Sequence, residues 1–373
     1  MLRRVIAWTV LATLMAGQLS DLAYAQIVAD GRTDTSITTG GGVTTITTGT
    51  VVGETGLNSF SQFDVGQGHV VNMHLPAGTT SLVNVVSDKT SLISGTVNAV
   101  RNGAIGGKLY FLNPHGIIVT ESGVINAGAV GLYAAATDFV EGLFDELGRP
   151  VAAEINRVAA GDVPLANADV RVDGTINASG DISLAGRDVS VGGAVFTGAL
   201  FSGTGPDFSD VVNTNGLTRG GSVTFENGTI RIQAARDANV TGSLVARGTG
   251  SVQAGDIYVS ADRTIQLTGA TILADAPRDQ AADPLDEGSE GNEEKPDRAG
   301  QVLLGAGSVS KKDVPIYSVA EAEGRIIIDR TTIKASHISA GAVAVADDGW
   351  DPTNPRTCCV RAPRSSTASF WPT

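Results

Sequence analysis

The chain's imidazoles are His69, His74, His115 and His337. His69 and His74 are close enough in sequence to suggest a metal site. Five residues apart on one strand, they would point to opposite faces. The spacing therefore favours solvated or turn-lining side chains over ligands. The carboxylate pairs Asp145-Glu146 and Asp347-Asp348 could do acid–base work only beside a cleft. Neither has a basic or aromatic run nearby, so both read as solvated faces. No Ser has Gly at both −2 and +2, which excludes a nucleophile elbow. Gly107-Lys108 lacks the leading Gly and trailing Ser or Thr of a phosphate loop, and Gly66-Gln67-Gly68 lacks the third Gly of a dinucleotide fingerprint. The sequence points to no catalytic residue, no metal and no cofactor.

One dense motif remains, Asn113-Pro114-His115-Gly116-Ile117, set between two apolar runs. Pro fixes φ at the second turn position and Gly relieves strain at the fourth, which describes a type I turn. The Asn113 side chain can bond its own backbone two residues on. The physical role is a fixed corner between two strands.

The elements that must hold this corner are short. Of 373 residues, 47 are Gly, while aromatics make up 5% and charged residues 17%. The net charge of −13 argues against nucleic-acid binding, which needs a basic stripe. The two cysteines, Cys358 and Cys359, rule out a disulfide framework. Such a composition suits many short strands, tight turns and a core of β-branched residues. Residues 1–25 read as a signal peptide: Arg3 and Arg4, an apolar stretch from Val5 to Gly17, and the cleavage site Ala23-Tyr24-Ala25. Thr35–Thr39 and Val43–Thr48 read as a hydroxyl-faced strand pair turned at Gly40-Gly41-Gly42. Runs such as Val70–Leu75, Leu82–Val86, Leu109–Leu112, Gly116–Val119 and Val130–Tyr133 follow.

Later phrases repeat. Gly180-Asp181-Ile182-Ser183-Leu184 returns as Gly255-Asp256-Ile257-Tyr258-Val259, with a related form at Gly221–Phe225. Val172-Asp173-Gly174-Thr175-Ile176-Asn177-Ala178 returns as Val240-Thr241-Gly242-Ser243-Leu244-Val245-Ala246. Repeats of about 22 residues that cannot bury their own apolar face predict a stacked solenoid. The expected fold is all-β: a right-handed parallel β-helix with N-terminal capping strands. A helical excursion is expected at about 138–160, where Phe139, Leu143, Phe144 and Leu147, then Val151, Ile155 and Val158, fall at helical spacing. The solenoid domain spans 26–275. Residues 276–299 form an acidic loop whose spacing matches no calcium repeat, 300–347 form further coils, and 348–373 a poorly ordered tail.

At this point the chain resembles a known family. Asn58-Ser59-Phe60-Ser61-Gln62-Phe63-Asp64-Val65 is similar to its Asn-x-Phe-x-x-Phe-x-Val phrase, and Ser91-Leu92-Ile93-Ser94-Gly95 to its Ser-x-Ile-x-Gly phrase. Leu109–Val119 resembles its hallmark, an apolar strand followed by Asn-Pro-Asn-Gly-Ile/Val, with His115 where the second Asn usually stands. Gln26-Ile27-Val28-Ala29-Asp30-Gly31 is similar to its mature start. Together these resemble the N-terminal secretion domain of filamentous-haemagglutinin-type adhesins, the passengers of two-partner secretion.

The resemblance implies a secreted adhesin-like passenger rather than an enzyme. It implies export through the periplasm and outer membrane, to the medium or the cell surface. The implied partner is an outer-membrane POTRA-containing β-barrel transporter, and a host-surface carbohydrate or protein is a further candidate. Transporter recognition or a structural role falls, by this resemblance, on Asn58, Phe60, Phe63, Asn113, Pro114, His115, Gly116 and Ile117. The alternatives are a β-helix polysaccharide-active enzyme, a self-sufficient carbohydrate-binding adhesin, or the truncated N-terminal remnant of a large adhesin or contact-dependent toxin carrier.

Overall fold

A computed structural model describes residues 25–198, 228–247, 254–274, 301–306, 325–335 and 337–342. Residues 1–24 of the predicted signal segment, the Gly221–Phe225 phrase, the acidic 276–299 stretch and the tail with both cysteines lie outside the described residues. The chain winds into a parallel β-helix. One sheet runs through Thr55–Asp64, Ser81–Val86, Lys108–Leu112, Ala129–Tyr133, Ile182–Val191, Ile230–Val240, Ile257–Ala261, Gln301–Ala306 and His337–Ala342. Every neighbouring pair in that series is parallel. The second sheet stacks Val43–Thr48, Val70–His74, Thr96–Arg101, Val124–Ala127, Thr175–Ala178 and their successors in the same way.

The start of the rod is antiparallel. Gln26–Ala29 adds to the edge of Thr55–Asp64, and Thr35–Gly40 pairs with Val43–Thr48 across the predicted Gly turn. These strands cap the first coil, and Ser36, Thr38 and Thr47 form the exposed hydroxyl face.

Alternate side chains point into the rod. Val71, Val97, Ile125 and Ile176 line one wall in successive layers, and Leu82, Leu109, Val130, Ile182, Ile230 and Ile257 the other. Each such burial contributes roughly 1.5–3 kcal/mol, and no layer achieves it without its neighbours. Buried polar residues stack in the same way on the other face of the second sheet. Asn98 donates to Asn72 at 2.9 Å, Asn126 to Asn98 at 2.9 Å and Asn177 to Asn126 at 2.9 Å. These partners lie 26, 28 and 51 residues apart. The coil is thus not constant: it runs 26 and 28 residues in the first layers but 19 from Val170 to its partner Val189, because corner loops vary and one carries an excursion.

The repeated Gly-x-apolar phrase has a steric cause. A Cβ on Gly174 would collide with the Gly123 carbonyl, and one on Gly242 with the Gly193 carbonyl. Stacked corners approach too closely for any side chain.

Between Tyr133 and Val170 the chain leaves the rod and forms helices Thr137–Glu141 and Ala152–Ala159. They bury Phe139, Val140, Leu143, Phe144, Ile155 and Val158 on an outward apolar patch of the sheet, Leu57, Val83, Val85, Leu112 and Tyr133. Leu147 differs from its helical-spacing assignment. It stands 75% exposed at the tip of a tight turn in which Asp145 accepts the Leu147 and Arg149 amides.

Candidate functional site

The motif residues collect at the N-terminal end of the rod, where cap, first coils and excursion meet. Asn58, Phe60 and Phe63 all lie on Thr55–Asp64, and all are buried. Asn58 donates to Asn84 Oδ1 at 3.0 Å and accepts from Thr35 Oγ1 at 2.8 Å, so a cap hydroxyl ends a short amide column. Phe60 meets Phe63 edge to face at 5.3 Å, and Phe63 meets Phe111 at 4.9 Å. These edge-on and tilted ring pairs pack in the core and join the first motif to the strand leading into the second.

That second motif forms the predicted corner. Asn113 Oδ1 accepts the His115 amide at 2.8 Å, and the Gly116 amide donates to the Asn113 carbonyl at 3.1 Å. Asn113 is buried, and its Nδ2 donates to Lys89 O at 2.7 Å and Ser91 Oγ at 3.0 Å in the preceding coil. Gly116 has φ +97°, and a Cβ there would stand 2.7 Å from the Asp169 carbonyl. Ile117 is buried and pairs with Ser91 below and Val170 above. Pro114 is half-buried. His115 is exposed and bonds the Ser87 carbonyl through Nε2 at 2.8 Å.

A cleft of about 290 Å³ opens beside this corner, lined among others by Asp30, Arg32, Pro114, Val140 and Glu141. The Asp30 carboxylate accepts from Ser59 Oγ at 2.6 Å and from Arg32 Nε at 2.7 Å. Burial pushes its pKa up, but these bonds, the Arg32 amide and the Arg32 charge outweigh it and hold the carboxyl below its ordinary value. Arg32 lies over the Phe144 ring at 4.6 Å. Arg32 and Asn84 carry no motif signal, and Asp30 and Ser59, which lie within the resembling phrases, give no sign there of bonding each other. Only their convergence on one corner of the fold marks them.

The histidines do not converge. Of the two expected places, solvated or turn-lining, His69 takes the second: its amide closes a turn on Gly66 O at 3.1 Å, and the side chain is buried with Nε2 2.8 Å from Thr44 Oγ1 on the cap hairpin. His74 is half-buried, which holds its pKa below the ordinary value. Among the described residues no three His, Cys, Asp or Glu side chains gather in metal-binding geometry. The repeated Gly-Asp and Arg-Asp carboxylates are taken up between coils. Asp181 and Asp256 accept the Thr229 and Gln301 amides, while Asp188 and Asp237 pair with Arg236 and Arg263. The Arg263 hydrogen bond holds Asp237 below its ordinary value against the opposing effect of burial. No described helix is long and apolar enough to cross a membrane.

The sequence matches the TPS secretion domain family over residues 25–273. Among solved structures it is similar to the HMW1 secretion domain from Haemophilus influenzae, at 14% identity over 85% of this chain and 99% of that one, with a TM-score of 0.39. No curated protein matches it. The family match covers both motif strands, the capping strands and the corner at Asn113, and the chain belongs to the TPS secretion domain family, as a two-partner secretion passenger exported across the outer membrane by a partner transporter.

Proposed function

We propose that the chain is a non-enzymatic, adhesin-like passenger whose N-terminal segment is read by the transporter in extended form and folds into the rod outside the cell. One observation carries this reading. Asn58, Phe60, Phe63, Asn113 and Ile117 are all fully or nearly fully buried in the coils. A transporter that reads their side chains must do so before the coils form. The periplasmic POTRA domains are the proposed reader, by β-augmentation, in which backbone bonds carry affinity and side chains carry choice. The Thr-rich strands at 35–48 and the 57–75 segment are the proposed contact. Parallel pairing is non-local and nucleates slowly, which supports an unfolded periplasmic passage. Once the capped first coil exists outside, each layer has a template, and folding helps draw the chain outward. The non-enzymatic reading is supported by the corner carboxylates, which are spent on amides and arginines between coils.

The test is secretion by the cognate barrel with Gln26 to Ile117 deleted. Loss of secreted product supports the reading, and unchanged secretion overturns it. A turnover assay of the refolded chain on polysaccharides tests the non-enzymatic half, where product release would sink it.

A further inference from the structure

We propose that the loop Asp30–Thr33 is a latch whose last contact, closing only after the helical excursion has folded, completes the fastening of the N-terminal segment to the rod and so sets how long that segment stays available to the transporter. This rests on the recognition reading above and adds its regulation.

The strand Gln26–Ala29 is weakly held by itself. It has four residues, sits at a sheet edge, and its register breaks between Val28 and Ala29. Val28 is 49% exposed. Short edge strands of this kind open locally far below the global unfolding free energy. The loop that follows adds contacts of two sorts. The first sort is made to the first coil. Asp30 N donates to Ser59 O at 3.2 Å, Ser59 Oγ to Asp30 at 2.6 Å, and Ser59 N to Thr33 Oγ1 at 2.9 Å. These can form as soon as Thr55–Asp64 is in place. The second sort reaches far along the chain, where the Arg32 guanidinium lies over Phe144 at 4.6 Å.

Phe144 is positioned late for topological reasons. It sits in the excursion, which packs on Leu57, Val83, Val85 and Leu112 from three successive layers. Those layers must exist before the excursion has a surface to fold on. The ring is then fixed by its turn, with Asp145 N donating to Arg149 O at 2.9 Å and Val151 N to Leu143 O at 2.8 Å. Arg32 is already held in place by Asp30, at 2.7 Å, so its planar face is presented to whatever arrives. A ring that is 9% exposed offers a largely desolvated surface, where a cation–π contact is at its strongest. The segment that enters first is therefore fastened by a residue that folds several layers later.

Native-state hydrogen exchange on the purified, folded full chain reads the latch directly. Phe144→Leu keeps an apolar side chain and removes the ring. It is expected to speed exchange across Gln26–Arg32 about tenfold, with Ser81–Val86 and Lys108–Leu112 unchanged. Unchanged exchange at Gln26–Arg32, or an equal rise in every layer, overturns the latch. If Phe144→Leu does not fold, Arg32→Gln is judged by the same criterion. In secreting cells, a Ser36→Cys chain with Cys358 and Cys359 replaced by Ser is cross-linked to the transporter over time. With Phe144→Leu added, the cross-link should persist longer, and equal lifetimes overturn the regulatory role. If no cross-link forms even with Phe144 intact, the recognition reading fails, and the latch is then decided by the exchange result alone.

Discussion

Asn126 donates through Nδ2 to Asn98 Oδ1 at 2.9 Å while accepting from Asn177 at 2.9 Å, deep inside the second sheet's stack. The same amide is thus donor to one layer and acceptor from the next. Asn126→Ala would leave the buried Asn98 Oδ1 and Asn177 Nδ2 without these partners. Each orphaned group costs about 1–3 kcal/mol, so the variant should lose roughly 2–6 kcal/mol in urea unfolding.

Gly174 faces the Gly123 carbonyl with no room for a Cβ, whereas Gly40 has nothing within 4 Å of that position. Gly174→Ala should destabilise by about 1–3 kcal/mol or prevent the layers from closing. Gly40→Ala should fall within about 0.5 kcal/mol of the parent. Thermal melts of the two variants side by side decide whether steric approach or glycine content as such governs the corner.

Asn113 uses both ends of its amide, Oδ1 for the His115 amide and Nδ2 for Lys89 O and Ser91 Oγ. Asn113→Asp keeps the turn acceptor but sets a carboxylate oxygen against the Lys89 carbonyl. Asn113→Ala loses all three bonds. Both should cost stability, by about 1–3 kcal/mol for each buried group left unpaired, and urea midpoints check it. A stable Asn113→Asp chain would show that the turn bond, not the link to the preceding coil, is what matters.

Burial, then the neighbouring Tyr133 and Asp181, push the Tyr110 phenol up to about 12 from 10.0. The unfolded chain loses this proton first as pH rises. The contribution is therefore fully present below about pH 10 and is lost between about 10 and 12, amounting to roughly 2–3 kcal/mol. Tyr110→Phe should flatten that part of the stability–pH curve. An ultraviolet titration with a phenolate appearing near pH 10 for every tyrosine would contradict it.

Much of the rod was legible in the sequence. The runs at Leu82–Val86, Leu109–Leu112 and Val130–Tyr133 lie within strands one residue longer at the start. Ser81–Val86 does not alternate because it is buried on both faces, by the core within and the excursion outside. The corner at Asn113 was legible because its turn chemistry is local: Oδ1 accepts the amide two residues on and the carbonyl the amide three residues on. The Nδ2 bonds were not, since Lys89 and Ser91 meet Asn113 only through coil register. The amide column was hidden for the same reason: its steps of 26, 28 and 51 residues have no fixed period to find. Helical spacing misplaced Leu147 because Gly142 ends the first helix and the chain folds back through the Phe144–Pro150 bridge.

The excursion departs after Tyr133, yet the layers on either side keep faith with each other: Ile117 pairs with Val170, Ala127 with Ala178 and Tyr133 with Ala185. A whole helical unit has been inserted at zero displacement of the stack. Gene duplication and insertion are thereby confined to a simple grammar. Additions at corners, or of entire layers, leave the remaining pairings intact, whereas a one-residue insertion within a strand inverts every face downstream of it unless a bulge absorbs it, as between Gly186 and Asp188. Lineages of such chains should therefore differ in length by decorated corners and complete layers, not by graded changes within strands.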